Sequence, residues 1–380
     1  MPTFYEFFAG GGMARAGLGP EWQCLFANDF DPKKAKTYAH NWGAEALRVG
    51  DVASVKVSEL PTRADLVWAS FPCQDLSLAG AGAGLDGNRS GTFWPFWDLV
   101  RQLGKAGRSP KLIVLENVCG ALTSHGGRDF SAIGSALAGG GYRFGAVVID
   151  AVNFLPQSRP RLFIIGVALG EPIPQQLRSA SPNDFWHTEA LLQAFGSLSA
   201  RTKGKWIWWN LPQPAPRQQN FSDLIEDTPS GITWHTKAET KRLLELMTDL
   251  NLAKVKKAQA SGKKMVGGLY RRTRPNELGQ KVQRAEVRFD DISGCLRTPS
   301  GGSSRQTIVV VEGRSIRSRL LSPREAARLM GLPDEYRLPS SYNEAYHLAG
   351  DGVAVPVVRF LAENLLEPLL RMPEEDEEAA

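Results

Sequence analysis

A chain of 380 residues that is 42% hydrophobic and 22% charged has the balance of a soluble globular protein, with apolar material for one large domain or two. No run of about 18 uncharged apolar residues offers a membrane span, and no basic stretch precedes the apolar start, as a secretory signal would require. A cytoplasmic protein is therefore expected, and the four scattered cysteines, Cys24, Cys73, Cys119 and Cys295, form no CxxC pair that would suit a metal or redox centre.

The first 170 residues alternate apolar runs with helix-like stretches. Strands are predicted over 3–8, 23–27, 66–69, 112–115, 147–149 and 161–167. Strands spaced in this way imply an α/β fold, a doubly wound, mostly parallel sheet that binds ligands at the carboxyl ends of its strands. Past residue 170 the pattern is broken by Pro172, Pro174, Pro182, Pro212, Pro214 and Pro216, and a domain boundary is placed there. Residues 201–320 hold 23 Lys and Arg against 11 Asp and Glu, so this stretch carries +12 while the rest of the chain carries −7. Such asymmetry points to a polyanion. The cluster Trp206, Trp208 and Trp209 is read as core of this smaller domain rather than a stacking platform. Residues 322–331 read as a capped helix with Pro at its first position, 353–366 as an apolar helix, and the acidic tail 373–380 as disordered.

Four motifs carry chemistry. Phe7-Phe8-Ala9-Gly10-Gly11-Gly12 is a glycine turn between a strand and a helix, suited to close approach of a ligand. The next strand ends in Asn28-Asp29-Phe30, a carboxylate placed for ribose hydroxyls with an aromatic beside it for a purine, and Asp51 adds a third polar group. Phe71-Pro72-Cys73-Gln74 sets a thiol at a strand end ahead of a glycine-rich loop. Glu116-Asn117-Val118 ends the strand 112–115, where a partly buried acid can serve in proton transfer. Arg159 and Arg161, two apart in an extended segment, are expected to point the same way toward a shared anionic or carbonyl-bearing ligand.

Taken in order, the glycine turn, Asp29, Asp51, Pro72-Cys73-Gln74, Glu116-Asn117-Val118, Gln157-x-Arg159-x-Arg161, the helix 324–331 and the segment Tyr346…Gly350…Val353 resemble the DNA cytosine-5 methyltransferases over nearly the whole chain. One departure is that Gly350-Asp351 stands where the family has Gly-Asn. The resemblance implies a class I methyltransferase fold that uses S-adenosylmethionine. Its catalytic domain would be 1–170, its target-recognition domain 171–320, with a return to the catalytic domain over 321–372. It implies Cys73 as the nucleophile at cytosine C6, Glu116 as the acid at N3, Asn117 fixing the loop, and Arg161 with Arg159 on the O2 side of the base, orienting Glu116. Phe8, Ala9, Gly10 and Gly12 would face the methionine part of the cofactor, Asp29 its ribose, Phe30 its adenine face and Asp51 its exocyclic amine. Val52, Pro72, Asp351 and Val353 complete those contacts.

The same resemblance implies a monomer acting on a cytosine flipped out of double-stranded DNA. Gln74, Ser77 and Arg89 would hold the flipped nucleotide, while Arg271, Arg272, Arg274, Arg297 and Arg305 would meet phosphates or guanine edges. A cognate restriction endonuclease acting separately is the partner it allows. Two alternatives remain: a tRNA cytosine methyltransferase, against which stand the basic insertion and the lack of a Cys-Phe-Thr signature, and a DNA-binding relative without catalysis, against which stand Cys73, Glu116 and Arg161.

Overall fold

In the computed structural model, residues 1–72, 92–275, 279–297 and 305–371 are described. Cys73, Gln74, Ser77, Arg89 and the acidic tail from residue 372 lie outside the described residues. The chain divides into two compact units. The first comprises Met1–Asp150, Pro160–Pro214 and Val353–Ala380, and the second Ala151–Arg159 and Ala215–Gly352.

Seven strands form the sheet of the first unit: β1 Thr3–Phe7, β2 Gln23–Asp29, β3 Leu47–Val49, β4 Leu66–Ala69, β5 Leu112–Val118, β6 Tyr142–Asp150 and β7 Pro160–Ala168. They lie in the order β3-β2-β1-β4-β5-β7-β6. The first five are parallel neighbours, and β7 runs antiparallel to both β5 and β6. The mixed, mostly parallel sheet expected from the sequence is present. The antiparallel pair follows from chain length, because a parallel return needs a crossover of about a dozen residues or more and the strap Ala151–Arg159 is shorter. All four residues of β4, and every residue of β5 but its last, are buried, as in a sheet covered on both faces.

The boundary placed at residue 170 is not where the compact units divide: residues 171–214 group with the first unit and 321–352 with the second. Packing explains the first difference. Phe144 donates its N–H to Lys205 O and accepts from Ile207 N, and Val148 N–H donates to Trp186 O. A Cβ on Gly145 would lie 2.0 Å from Ile207 O, so only glycine lets the segment close on β6. Trp186 and Trp209 are wholly buried, and Trp206 meets Phe130, Phe144, Phe195 and Trp208 edge-on or tilted. The tryptophan cluster is thus core, but core of the sheet domain. Full burial of a large apolar side chain contributes about 1.5–3 kcal/mol, which applies to Trp186 and Trp209, while Trp206 and Trp208 are half-buried.

In the second unit four antiparallel strands, β10 Met265–Pro275, β11 Lys281–Arg288, β12 Thr307–Glu312 and β13 Ser315–Leu320, lie in the order β11-β10-β12-β13. The two intervening short strands, β8 Arg178–Ser179 and β9 Trp208–Trp209, pair with each other in the first unit. Leu269, Ala285, Val287, Val309 and Val311 gather with Met247, Val255 and Ala258 into the second unit's core. The capped helix is found as Pro323–Arg328, with Ser322 and Glu325 forming a reciprocal capping box. The apolar helix predicted over 353–366 is Val355–Leu361, continued by a π-turn Ala362–Leu366.

Glu325 is wholly buried and bidentate to Arg319 at 2.6 and 2.8 Å, and Arg319 also donates to the backbone oxygen of Glu226. Arg319→Met is expected to lower stability by about 3–5 kcal/mol, because it strands a buried carboxylate. A shift of the urea midpoint measures this, and a loss below about 1 kcal/mol would contradict it.

Candidate active site

The carboxyl ends of β1, β2, β3, β4 and β5 share one edge of the first unit's sheet. Leaving β1, the chain passes through left-handed conformations at Phe8, Gly10 and Gly12. Gly12 is required by packing, since a Cβ there would lie 2.4 Å from Trp42 Nε1. At Gly10 nothing lies within 4 Å of that position, so the turn presents bare backbone. Ala9 N–H donates to Asn28 O, which fastens the turn to β2.

Asp29 ends β2. Its Oδ2 accepts Gly10 N–H at 2.7 Å and its Oδ1 accepts Asp31 N–H at 2.8 Å. Burial raises its pKa while those two backbone donors oppose the rise. Each oxygen keeps a lone pair for a ligand hydroxyl. Phe30 beside it is 74% exposed, uncommon for so large a ring. Asp51 is exposed and caps the short turn Val52–Ser54 by accepting Ala53 N–H at 2.9 Å. Val52, in contrast, buries its side chain in the core.

A further buried acid lies within β1, where no strand-end motif marks it. Glu6, in the middle of β1, is 1% exposed, and burial pushes its carboxyl up to about 8 against the opposing N–H groups of Arg15 and Ala14. Its signal in the sequence is a lone charge inside the apolar run Phe4-Tyr5-Glu6-Phe7-Phe8. An acid whose folded pKa exceeds its unfolded value binds more protons when folded, so stability falls as pH rises from about 4.5 through about 8. Melting curves of Glu6→Gln are expected to lack that part of the pH dependence, and an unchanged profile would contradict the assignment.

Glu116 and Arg161 meet across the antiparallel pair. Arg161 lies opposite Val118, so Glu116, two residues back, occupies the diagonal position on the same face. Arg161 Nε stands 3.3 Å from Glu116 Oε1, and both side chains are largely buried. Asn117 Nδ2 donates to Phe71 O at 3.1 Å while its Oδ1 accepts Val118 N–H at 2.8 Å. The strand end carrying Glu116 is thereby tied to the residue before exposed Pro72. Cys73 follows directly.

Arg159 and Arg161 have different protein partners. Alternation of side chains holds only within a strand, and β7 begins at Pro160. Arg159 belongs to the strap grouped with the second unit, is 1% exposed, and donates to the backbone oxygens of Leu296, Gly350 and Gly352. Its guanidinium is spent on holding that unit together. Asp351 ends the helix Tyr342–Asp351 of the same unit with an exposed side chain, and Val353 opens the last segment of the first unit with a buried one. Arg271, Arg272, Arg274 and Arg297 are exposed. Arg305 is engaged instead, its guanidinium over the Tyr342 ring and bonded to Asn343.

A sequence model of the C-5 cytosine-specific DNA methylases matches residues 2–367. Among relatives, the Type II methyltransferase M.HpaII of Haemophilus parainfluenzae is 26% identical, over 97% of this chain and 90% of its own. M.HhaI of Haemophilus parahaemolyticus is 24% identical, over 95% and 93%. The solved Dnmt2 methyltransferase of S. pombe superposes with a TM-score of 0.59 at 17% identity, over 98% of this chain and all of its own. The Entamoeba histolytica methyltransferase EhMeth does so with 0.64 at 14%, over 98% and 99%. At these identities the two structures speak for the fold, which is that of the class I methyltransferases. With the family match spanning almost the entire sequence, the chain belongs to the C-5 cytosine-specific DNA methylases and is a DNA (cytosine-5-)-methyltransferase.

Proposed function

We propose that this chain methylates C5 of a cytosine flipped out of duplex DNA, with Cys73 as nucleophile and S-adenosylmethionine as methyl donor. The observation that carries the reading is the diagonal Glu116–Arg161 pair beside Asn117, itself bonded to the residue two before Cys73. C5 of cytosine is a weak nucleophile. Addition of the Cys73 thiolate to C6 places the electron pair on C5, and the charge that would build on the ring is relieved by a proton from the Glu116 carboxyl at N3. Arg161 orients that carboxyl and donates to O2 of the base. After substitution at C5, loss of the C5 proton expels the Cys73 sulfur and restores the ring.

The cofactor fits the residues at the sheet edge. The open backbone face at Gly10, the Asp29 carboxylate with lone pairs to spare, the exposed Phe30 ring and exposed Asp51 suit a methionine part, a ribose, an adenine face and its amine. When bound, S-adenosylmethionine supplies an electrophilic methyl group on a sulfonium. Phe8, Ala9 and Gly12 shape the turn, while Val52, Pro72 and Val353 would contribute backbone and apolar contact. Asp351 would bring an acid where an amide is usual.

In the same reading the second unit is the target-recognition domain. Exposed Arg271, Arg272 and Arg297 would contact DNA, and Gln74, Ser77 and Arg89 would hold the flipped nucleotide. Unpairing that base costs about a few kcal/mol. The test is transfer of labelled methyl to duplex DNA and to tRNA in parallel: label in 5-methylcytosine of the duplex is expected, and label confined to tRNA would overturn the reading.

A further inference from the structure

β12 accompanies β10 only over Met265–Leu269, whereas β11 pairs with β10 from Gly268 to Pro275. Residues 270–275 and 281–286 therefore continue beyond the four-stranded sheet as a two-stranded ribbon. Two strands lie about 4.8 Å apart, and a ribbon of that width enters the DNA major groove, about 12 Å across.

The ribbon's two faces differ. Directly opposed residues share a face, so Tyr270, Arg272, Arg274, Val282, Arg284 and Glu286 lie on one side. Arg271, Thr273, Pro275, Lys281, Gln283 and Ala285 lie on the other. On the first side Glu286 stands between two arginines, with Arg274 Nε 3.0 Å from Oε1 and Arg272 Nε 3.3 Å from Oε2. Both arginine side chains are about half exposed, at 53% and 50%. Contact through Nε leaves the Nη pair of each half-exposed guanidinium as a fork of the kind that matches O6 and N7 of guanine. Arg272 also faces Arg284 directly across the ribbon. A like-charged cross-strand pair costs stability, and a polyanion laid against it would offset that cost.

We propose that this arm enters the major groove of duplex DNA and that Arg272 and Arg274, aimed by Glu286, read guanine edges there. The inference rests on the duplex-DNA reading above and adds which residues set the target sequence. Glu286 is a positioning residue that preorganises both forks. Arg271, on the opposite face and opposed to Ala285 rather than to a carboxylate, has no such aiming group across the ribbon and serves a phosphate.

The test is methylation profiling at one target cytosine of fixed position in duplexes of otherwise randomised sequence, with the wild type and Arg272→Ala, Arg274→Ala, Glu286→Gln and Arg271→Ala. Each of the first two variants is expected to lose roughly 5- to 100-fold discrimination at one guanine position, and Glu286→Gln to relax both positions by less. Arg271→Ala is expected to weaken methylation in all contexts alike and to flatten the salt dependence. Uniform loss with unchanged context in Arg272→Ala and Arg274→Ala would overturn the proposal, as would relaxed context in Arg271→Ala alone. If the wild type methylates no duplex, the duplex reading fails first and takes this one with it.

Discussion

Glu116→Gln is expected to lower the rate of methyl transfer by roughly 10²- to 10⁴-fold, the range that a positioned proton donor contributes. Glutamine keeps the shape of the side chain and an oxygen for Arg161, 3.3 Å away in the wild type, but has no acidic proton to give. The position is largely buried and joined to Asn117, whose own bonds to Phe71 and Val118 are untouched by the change. Folding and DNA affinity should therefore stay near wild type while kcat falls. Single-turnover methylation alongside a binding titration separates the two effects. A variant with wild-type kcat would remove Glu116 from the chemistry, and one with lost affinity alone would make it a binding group.

Cys73→Ala should go further, to a loss on the order of 10⁴-fold or more, because without a nucleophile at C6 no electron pair reaches C5. No other cysteine is placed to substitute. Burial pushes the Cys24 thiol up to about 11 and raises that of Cys119 as well, so neither readily forms a thiolate. The Cys295 sulfur lies 3.4 Å from Nη1 of Arg159, inside the second unit. Cys119→Ala is the matched control, since Cys119 follows the Glu116 strand directly and yet is assigned no bond to make. Methylation surviving in Cys73→Ala and lost in Cys119→Ala would reassign the nucleophile.

Much of the sheet was legible because buried strands are short apolar runs bounded by turns. β4 occupies the predicted residues 66–69, and β7 differs from its prediction by one residue at each end. β3 was missed, since three residues, Leu47–Val49, show no period. Proline and tryptophan density after residue 170 suggested a new domain, whereas the rings there fill the core against β6. That outcome depends on Gly145, whose permissiveness shows only when the neighbouring backbone is known.

The site shows the same division. Strand-end acids were readable because a parallel sheet gathers its carboxyl ends at one edge. The pairing of Glu116 with Arg161 followed only from the family resemblance, since the residues alone do not give the register of β5 against β7. The partners of Arg159 were not readable either, because side-chain alternation begins only with the strand at Pro160. Glu6 was passed over because it belongs to no strand end, although a charge within an apolar run is itself a cue. The carboxylate that aims Arg272 and Arg274 became visible only through the pairing of β10 with β11.

Methylation of duplex cytosine through Cys73 is tested most directly by bisulfite sequencing of a host lacking cytosine methylation, after expression of the wild type and of Cys73→Ala. Protected cytosines in one recurring sequence context, absent with the variant, are the predicted result. Unprotected DNA from both, with the protein folded and S-adenosylmethionine bound, would contradict it.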